Sequence, residues 1–166
     1  NHEQMELYFE LYKQIPEFKM QNFSMNLSEF KVIFWWEWSH RFIARIIGIL
    51  YLIPLIYFTY ILGFKKVKYL YLIFILICFQ GFIGWFMVSS GLINRVDVSH
   101  FRLSIHLLFA FLILSLLLWN YLNVKVEKNI SNKLNAFLPL FFLILIFFQI
   151  IIGAFVSGMD AGKIYN

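Results

Sequence analysis

Residues 34–45, FWWEWSHRFIAR, place an acid, an imidazole and two guanidinium groups at the mouth of a long apolar run. Read as a helix, Glu37, His40 and Arg41 recur at spacings of three or four and share one face. Ala44 continues this face one turn deeper. Because ionisable groups are costly in apolar surroundings, such a stripe indicates a functional site.

A second stripe of the same layout lies in VSHFRLSIHLLFA, where Arg102, His106 and Ala110 are spaced by four. In both stripes an alanine follows the histidine, among Ile, Leu and Phe, and a small side chain lets a flat ligand approach closely. A neutral imidazole keeps one ring nitrogen available for a metal, so two such rings suit axial ligation of haem iron. The other interpretation, in which His40 and His106 only hydrogen-bond neighbouring helices, stays open on spacing alone.

Three arginines and one glutamate accompany the histidines. Arg41, Arg45 and Arg102 are suited to binding haem propionates bidentately, or else they extend to lipid phosphates. Glu37 has the chemistry to accept protons or orient water beside a bound haem. It is equally placed for an i, i+4 salt bridge with Arg41, which contributes little at a surface.

The elements that must position these residues are membrane spans. The chain has 166 residues, of which 61% are hydrophobic and only 14% charged. A bilayer core requires about 20 apolar residues per helix, and the lengths exceed those of barrel strands. The sequence therefore predicts an all-α integral membrane protein, an antiparallel bundle in the lipid bilayer. Its spans are predicted at 42–63, 69–91, 103–123 and 136–157.

Positive charge predicts the orientation of these spans. The net charge of +5 comes from lysines in short loops rather than on a soluble face, so it does not indicate nucleic-acid binding. Loops 64–68 and 124–135 are predicted to face the cytoplasm or matrix. The N-terminal segment and both histidine stripes then face the outer side.

The chain divides into three parts by composition. Residues 1–36 are predicted to form an outer-side loop with short interfacial helices, and a helix start capped by Asn26 or Ser28. Residues 37–124 hold the spans of an N-terminal half with the histidine pair. Residues 125–166 hold an inner loop and the first span of a C-terminal half.

A weak repeat places a glutamine near the middle of two spans, followed by glycine at the fourth position. Gln80 and Gln149 are each expected to hydrogen-bond a neighbouring helix, because an unpaired amide is costly in a membrane. The remaining histidines, His2 and His100, are expected to be solvated.

Four separated motifs carry a family resemblance: PEFKMQNFSMNLSEFKVIFWWEWSHRFIARIIG, QGFIGWFMVSSGL, VSHFRLSIHL and QIIIGAFVSGMDAGKIYN. In order and spacing they resemble haem A synthase of the mitochondrial and proteobacterial type. The resemblance covers the chain from about residue 8, as an internal fragment that corresponds to helices two to five. One departure is Ala44, where the family usually has glycine.

This resemblance implies an eight-span protein of two halves, which oxidises a methyl group of haem O to a formyl group, giving haem A for cytochrome c oxidase assembly. It implies that His40 and His106 are the metal-ligating pair of the half that binds haem O. Glu37 matches the glutamate implicated in catalysis, and the other half is expected to hold haem b as cofactor. The fragment alone is expected to be inactive.

The resemblance further implies partners and a location. An electron donor such as ferredoxin or a quinone-linked reductase is expected, and haem O synthase or oxidase assembly factors are possible partners. The expected location is the mitochondrial inner membrane or the bacterial plasma membrane, with the histidine pair towards the intermembrane or periplasmic side. The alternative is a membrane b-type cytochrome subunit in which the same histidines carry a haem for electron transfer.

Overall fold

The computed structural model describes residues 2–91, 98–125, 137–159 and 161, and every regular element in these ranges is a helix. The all-α prediction is therefore confirmed. Four of the helices are long and apolar enough to cross a membrane. In chain order the helices are α1 His2–Tyr12, α2 Pro16–Met20, α3 Leu27–Leu62, α4 Phe64–Gly91, α5 His100–Lys125 and α6 Phe137–Gly158.

Helix α3 is much longer than the predicted span at 42–63. It contains 36 residues and begins at Leu27 with a capping box. The Asn26 side chain accepts hydrogen bonds from the Ser28 and Glu29 backbone amides, and Glu29 returns a bond to the Asn26 amide. At about 1.5 Å per residue the helix is about 54 Å long, against a hydrocarbon core of about 30 Å. The candidate stripe thus lies within one continuous helix that extends beyond the membrane.

The predicted loop at 64–68 is wrong. A single residue, Gly63, separates α3 from α4, and its φ of 80° accommodates the turn. Lys65, Lys66 and Lys68 consequently lie at the start of α4, with exposed side chains. Their positive charge stays at the same end of the spans. Most of the second predicted loop, 124–135, lies outside the described residues.

The four long helices form an open layer rather than a closed bundle. Helix α4 packs between α3 and α5, and α6 packs on the other side of α5, while the described parts of α3 and α6 share no extensive contact. Only 6–11% of each span's most apolar window is buried. Large apolar surfaces therefore face lipid or further protein.

Specific contacts fix the register of neighbouring spans. Between α3 and α4, the Tyr51 hydroxyl donates to the Leu70 carbonyl at 3.0 Å, and Ile73 is fully buried. Between α5 and α6, Ser104 donates to the Ile151 carbonyl at 3.4 Å. These bonds satisfy polar groups that a bilayer would leave unpaired.

His100 belongs to the same interface, so its expected solvation is wrong. Its ring is only partly exposed and packs against Phe155 of α6, with ring centroids 5.1 Å apart. A Cβ on Gly158 would lie 2.8 Å from the His100 Cβ, so the glycine permits this close approach. His2 is exposed, as expected, beside Glu6.

The N-terminal segment packs onto the first turns of α3 through aromatic rings. Phe9 of α1 and Phe30 of α3 are buried against each other, with centroids 5.1 Å apart. The Tyr12 hydroxyl donates to Glu17 at 3.1 Å and accepts from Asn22 at 2.8 Å. This packing holds the segment close to the first candidate stripe.

Candidate functional site

The first stripe lies on the exposed face of α3. Glu37, His40, Arg41 and Arg45 all have exposed side chains, and so does Ala44. The Glu37 Oε2 atom lies 3.3 Å from the Arg41 Nη1 atom. The helical i, i+4 spacing brings these two groups together, so the predicted salt bridge is present. It holds the carboxylate one turn outward of the imidazole.

His106 of α5 is seated closely against the backbone of α4. A Cβ built on Gly84 would lie 2.9 Å from the His106 Cε1 atom, and 3.6 and 3.7 Å from its Nδ1 and Nε2 atoms. Such a distance is shorter than carbon contacts allow, so only glycine admits the ring here. The sequence reasoning did not assign this role to Gly84.

Gln80, one turn inward of Gly84 on the same helix, holds the same histidine. Its Nε2 atom donates to the His106 carbonyl oxygen at 2.9 Å, which confirms the predicted bond to a neighbouring helix. The same nitrogen is 3.2 Å from Nδ1 and 3.5 Å from Nε2 of the ring. These contacts make the Gln80 amide a hydrogen-bonding neighbour of the ring, and which ring nitrogen takes part depends on the tautomer of His106.

Gln149, the matching residue of the repeat, behaves differently. Its side chain is exposed on α6, and within the described ranges it has no hydrogen-bond partner. A Cβ on Gly153 would likewise meet nothing within 4 Å. The expected bond of Gln149 to a neighbouring helix is therefore not formed within the described part of the chain. The Q-x-x-x-G spacing was the available signal for the Gln80 and Gly84 pair, because it places both on one helix face.

The remaining candidates lie on the helices that carry the two histidines. Helix α4 packs between α3, which carries His40, and α5, which carries His106. Arg102 lies one turn before His106 on α5, with its guanidinium 4.9 Å from the centre of the Phe86 ring. Both histidines lie in the N-terminal halves of their helices.

The N-terminal segment contributes a phenol near the first stripe. Burial raises the pKa of Tyr12, the bond from Asn22 opposes the rise, and the carboxylates of Glu17 and Glu37 add to it. Tyr12 is therefore neutral at physiological pH and lies within electrostatic reach of the first stripe.

The donor set fits a haem better than a bare metal ion. Within the described ranges no three His, Cys, Asp or Glu side chains form a metal-binding group. A haem iron requires only axial ligands from the protein, and an imidazole on each of two helices would provide them. The Gly84 cradle and the buried, unpartnered Oε1 atom of Gln80 also lie beside His106. These features are consistent with a ligand that binds next to this ring.

The fold and site define a multi-pass α-helical membrane protein with a histidine on each of two spanning helices. The family model described as COX15-CtaA, cytochrome oxidase assembly protein, matches residues 1–166. The chain belongs to this family.

Several relatives are similar along nearly the whole chain. A protein of Pelagibacter ubique named heme A synthase is 55% identical over 164 residues, which cover 96% of this chain and 48% of that protein. Proteins of the same name from Bradyrhizobium diazoefficiens and Parvibaculum lavamentivorans are each 44% identical, over 161 and 163 residues. These alignments cover 95% of this chain and 45% and 47% of those proteins, so the chain spans about half their length. No solved structure matches the chain.

Proposed function

We propose that the protein is a haem A synthase, which oxidises a methyl group of haem O to a formyl group in two successive steps. The chain would provide the histidine pair of the substrate site. The seating of His106 against Gly84 and Gln80 carries this proposal, because it orients an imidazole between α4 and α5. The relatives named heme A synthase support the choice of reaction.

Each candidate side chain has a role in this site. His40 and His106 ligate the iron of haem O, and Arg41, Arg45 and Arg102 bind its propionates at the outer end. Glu37 accepts protons or orients water, with its carboxylate held by Arg41 at 3.3 Å. Apolar helices around the macrocycle exclude water from its inner part.

The cofactor and partners follow from the same proposal. Haem b, held mainly by helices beyond this chain, supplies one-electron and oxygen chemistry when bound. A ferredoxin or a quinone-linked reductase delivers electrons, and haem O synthase or oxidase assembly factors exchange haem with the protein. The membrane is the bacterial plasma membrane or the mitochondrial inner membrane, with the histidines on the outer side.

The ligation is tested in the full-length protein by replacing each histidine. His106→Ala and His40→Ala are each expected to lower bound haem O and to abolish haem A formation, because an axial ligand is lost. Haem extracted from cells supplied with haem O is examined as its pyridine haemochrome, in which a formyl group shifts the visible band. His2→Ala, at an exposed position, is the control and should change nothing.

Two results would contradict this assignment. Unchanged haem content in both variants would remove the ligand role of the pair. Haem bound through His40 and His106 with no formyl product would instead favour the b-type electron-transfer cytochrome.

The role of Glu37 is tested separately with Glu37→Gln. We expect haem O binding to persist and haem A formation to fall by roughly 10²-fold or more, as is typical when a proton-transferring group is lost. Glu10→Gln is the matched control, because Glu10 forms only an exposed ion pair with Lys13. Full turnover by Glu37→Gln would show that Glu37 has no catalytic role and only forms the salt bridge with Arg41.

A further inference from the structure

Only one end of the Gln80 side-chain amide has a hydrogen-bond partner within the described residues. Its nitrogen donates to the His106 carbonyl at 2.9 Å, and this bond fixes which end of the amide faces the α5 backbone. The carbonyl oxygen, Oε1, is buried and has no hydrogen-bond donor within the described residues. A buried acceptor without a donor is unfavourable, because it has lost its hydrogen bonds to water. A compensating donor is therefore expected in the functional state.

The ring of the same histidine lies beside this amide, and its Nδ1 atom can donate in one of the two tautomers. The Gln80 nitrogen is 3.2 Å from Nδ1, and its carbonyl oxygen is attached to the same amide carbon. In the tautomer that carries its hydrogen on Nδ1, a turn of the imidazole about its side-chain torsions would exchange the present contact with the amide nitrogen for a bond from Nδ1–H to Oε1. Gly84 has no side chain to obstruct the Cε1 edge of the ring during this turn.

We propose that Gln80 is the positioning residue of His106: its carbonyl oxygen accepts the Nδ1–H bond when Nε2 of His106 ligates the iron of haem O. This inference rests on the proposed function. An acceptor on the distal nitrogen fixes the tautomer and orientation of a ligating histidine. The amide then uses both of its ends on one residue, with the nitrogen on the His106 backbone and the oxygen on its ring.

The bond has a consequence for the haem. An acceptor on Nδ1–H makes the imidazole a more basic ligand, which stabilises ferric iron and lowers the reduction potential. Removing the acceptor should therefore raise the potential. An acceptor of equal or greater strength should keep the potential at or below the wild-type value.

The experiment compares Gln80→Met with Gln80→Glu in full-length protein loaded with haem O. Both substitutes are close to glutamine in length, so packing between α4 and α5 is retained. We expect a more positive potential and shifted ferric electron paramagnetic resonance g-values for Gln80→Met. For Gln80→Glu we expect a potential at or below that of the wild type. Gln149→Met is the matched control, since Gln149 is exposed and has no partner in the described ranges.

The haem signals that belong to this site are identified as those lost in the His106→Ala variant. Given that loss, two results would overturn the proposal: Gln80→Met leaves the potential and g-values unchanged, or both Gln80 variants raise the potential alike. In either case Gln80 only joins two helices. If His106→Ala leaves every haem signal intact, the proposed ligation itself is wrong, and the role of Gln80 falls with it.

Discussion

At the scale of single residues, the close approach of α4 to α5 determines the position of His106, the candidate iron ligand. The His106 ring approaches the α4 backbone closely because Gly84 has no side chain, and the Gln80 amide nitrogen lies 3.2 Å from the Nδ1 atom of the ring. Both contacts restrict an imidazole that would otherwise have several rotamers in a loosely packed membrane interface. The geometry of the site is therefore set as much by α4 as by the histidine.

Gly84→Ala tests this close contact. The added methyl would lie 2.9 Å from the His106 Cε1 atom, so the ring must shift. Overpacking of this kind costs about 1–3 kcal/mol, although alanine itself favours a helix by about 1 kcal/mol. We expect weaker haem O binding and a lower thermal midpoint in detergent. Gly81→Ala, where a Cβ meets nothing within 4 Å, should be neutral or stabilising; equal effects at both sites would contradict the seating.

Some of these residues could be read from the sequence and some could not. The Glu37–Arg41 bridge follows from helical spacing alone, and the Gln80 bond follows from the cost of an unpaired amide in a bilayer. The contact of Gly84 with His106 joins two helices, so spacing within one helix cannot predict it. Gln149 shows the same limit, since its side chain is exposed and forms no bond to a neighbouring helix within the described residues.

At the scale of elements, α3 carries the outer stripe on a rigid support. Its helix begins fifteen positions before the predicted span because the capping box starts it at Leu27. Hydropathy locates only the part of a helix that lies in lipid, so it could not predict this extension. The cap was predicted to be Asn26 or Ser28, and the structure selects Asn26.

Asn26→Ala tests whether the capping box stabilises the first turn of α3. Loss of the cap costs about 1 kcal/mol and should fray the first turn of α3. We expect faster amide hydrogen exchange at residues 27–30 and less protection of the N-terminal segment against protease. Ser28→Ala is the matched control, because the Ser28 contact in the cap uses its backbone amide. Similar exchange in both variants would mean that packing of Phe9 on Phe30, rather than the cap, holds this end.

At the scale of the whole molecule, the described helices form a layer with two uncovered faces. Helix number and order could be predicted from apolar length, but the packing of α4 between α3 and α5 could not. All four spans are nearly uniformly apolar, so no face of any helix is distinguished by polarity. Small residues and single polar groups select the partners instead.

The orientation of this layer is testable by chemical labelling. In a Cys78→Ala background, Ser24→Cys should react with an impermeant maleimide added to intact cells. Lys66→Cys should react only after permeabilisation, because Lys65, Lys66 and Lys68 are expected to keep their end of α4 on the cytoplasmic side. Asn22→Cys provides a second outer position. The reverse pattern would place the histidines on the inner side.

Gly63 has a consequence for biogenesis. With one residue between α3 and α4, the two helices form a helical hairpin with a very short turn. We expect them to leave the translocon and enter lipid as one unit, with the cationic tip retained at the cytoplasmic surface. A longer connection would let each helix partition alone, before Tyr51 could reach the Leu70 carbonyl. The tight turn would thus establish the pairing of these spans during synthesis, ahead of any haem.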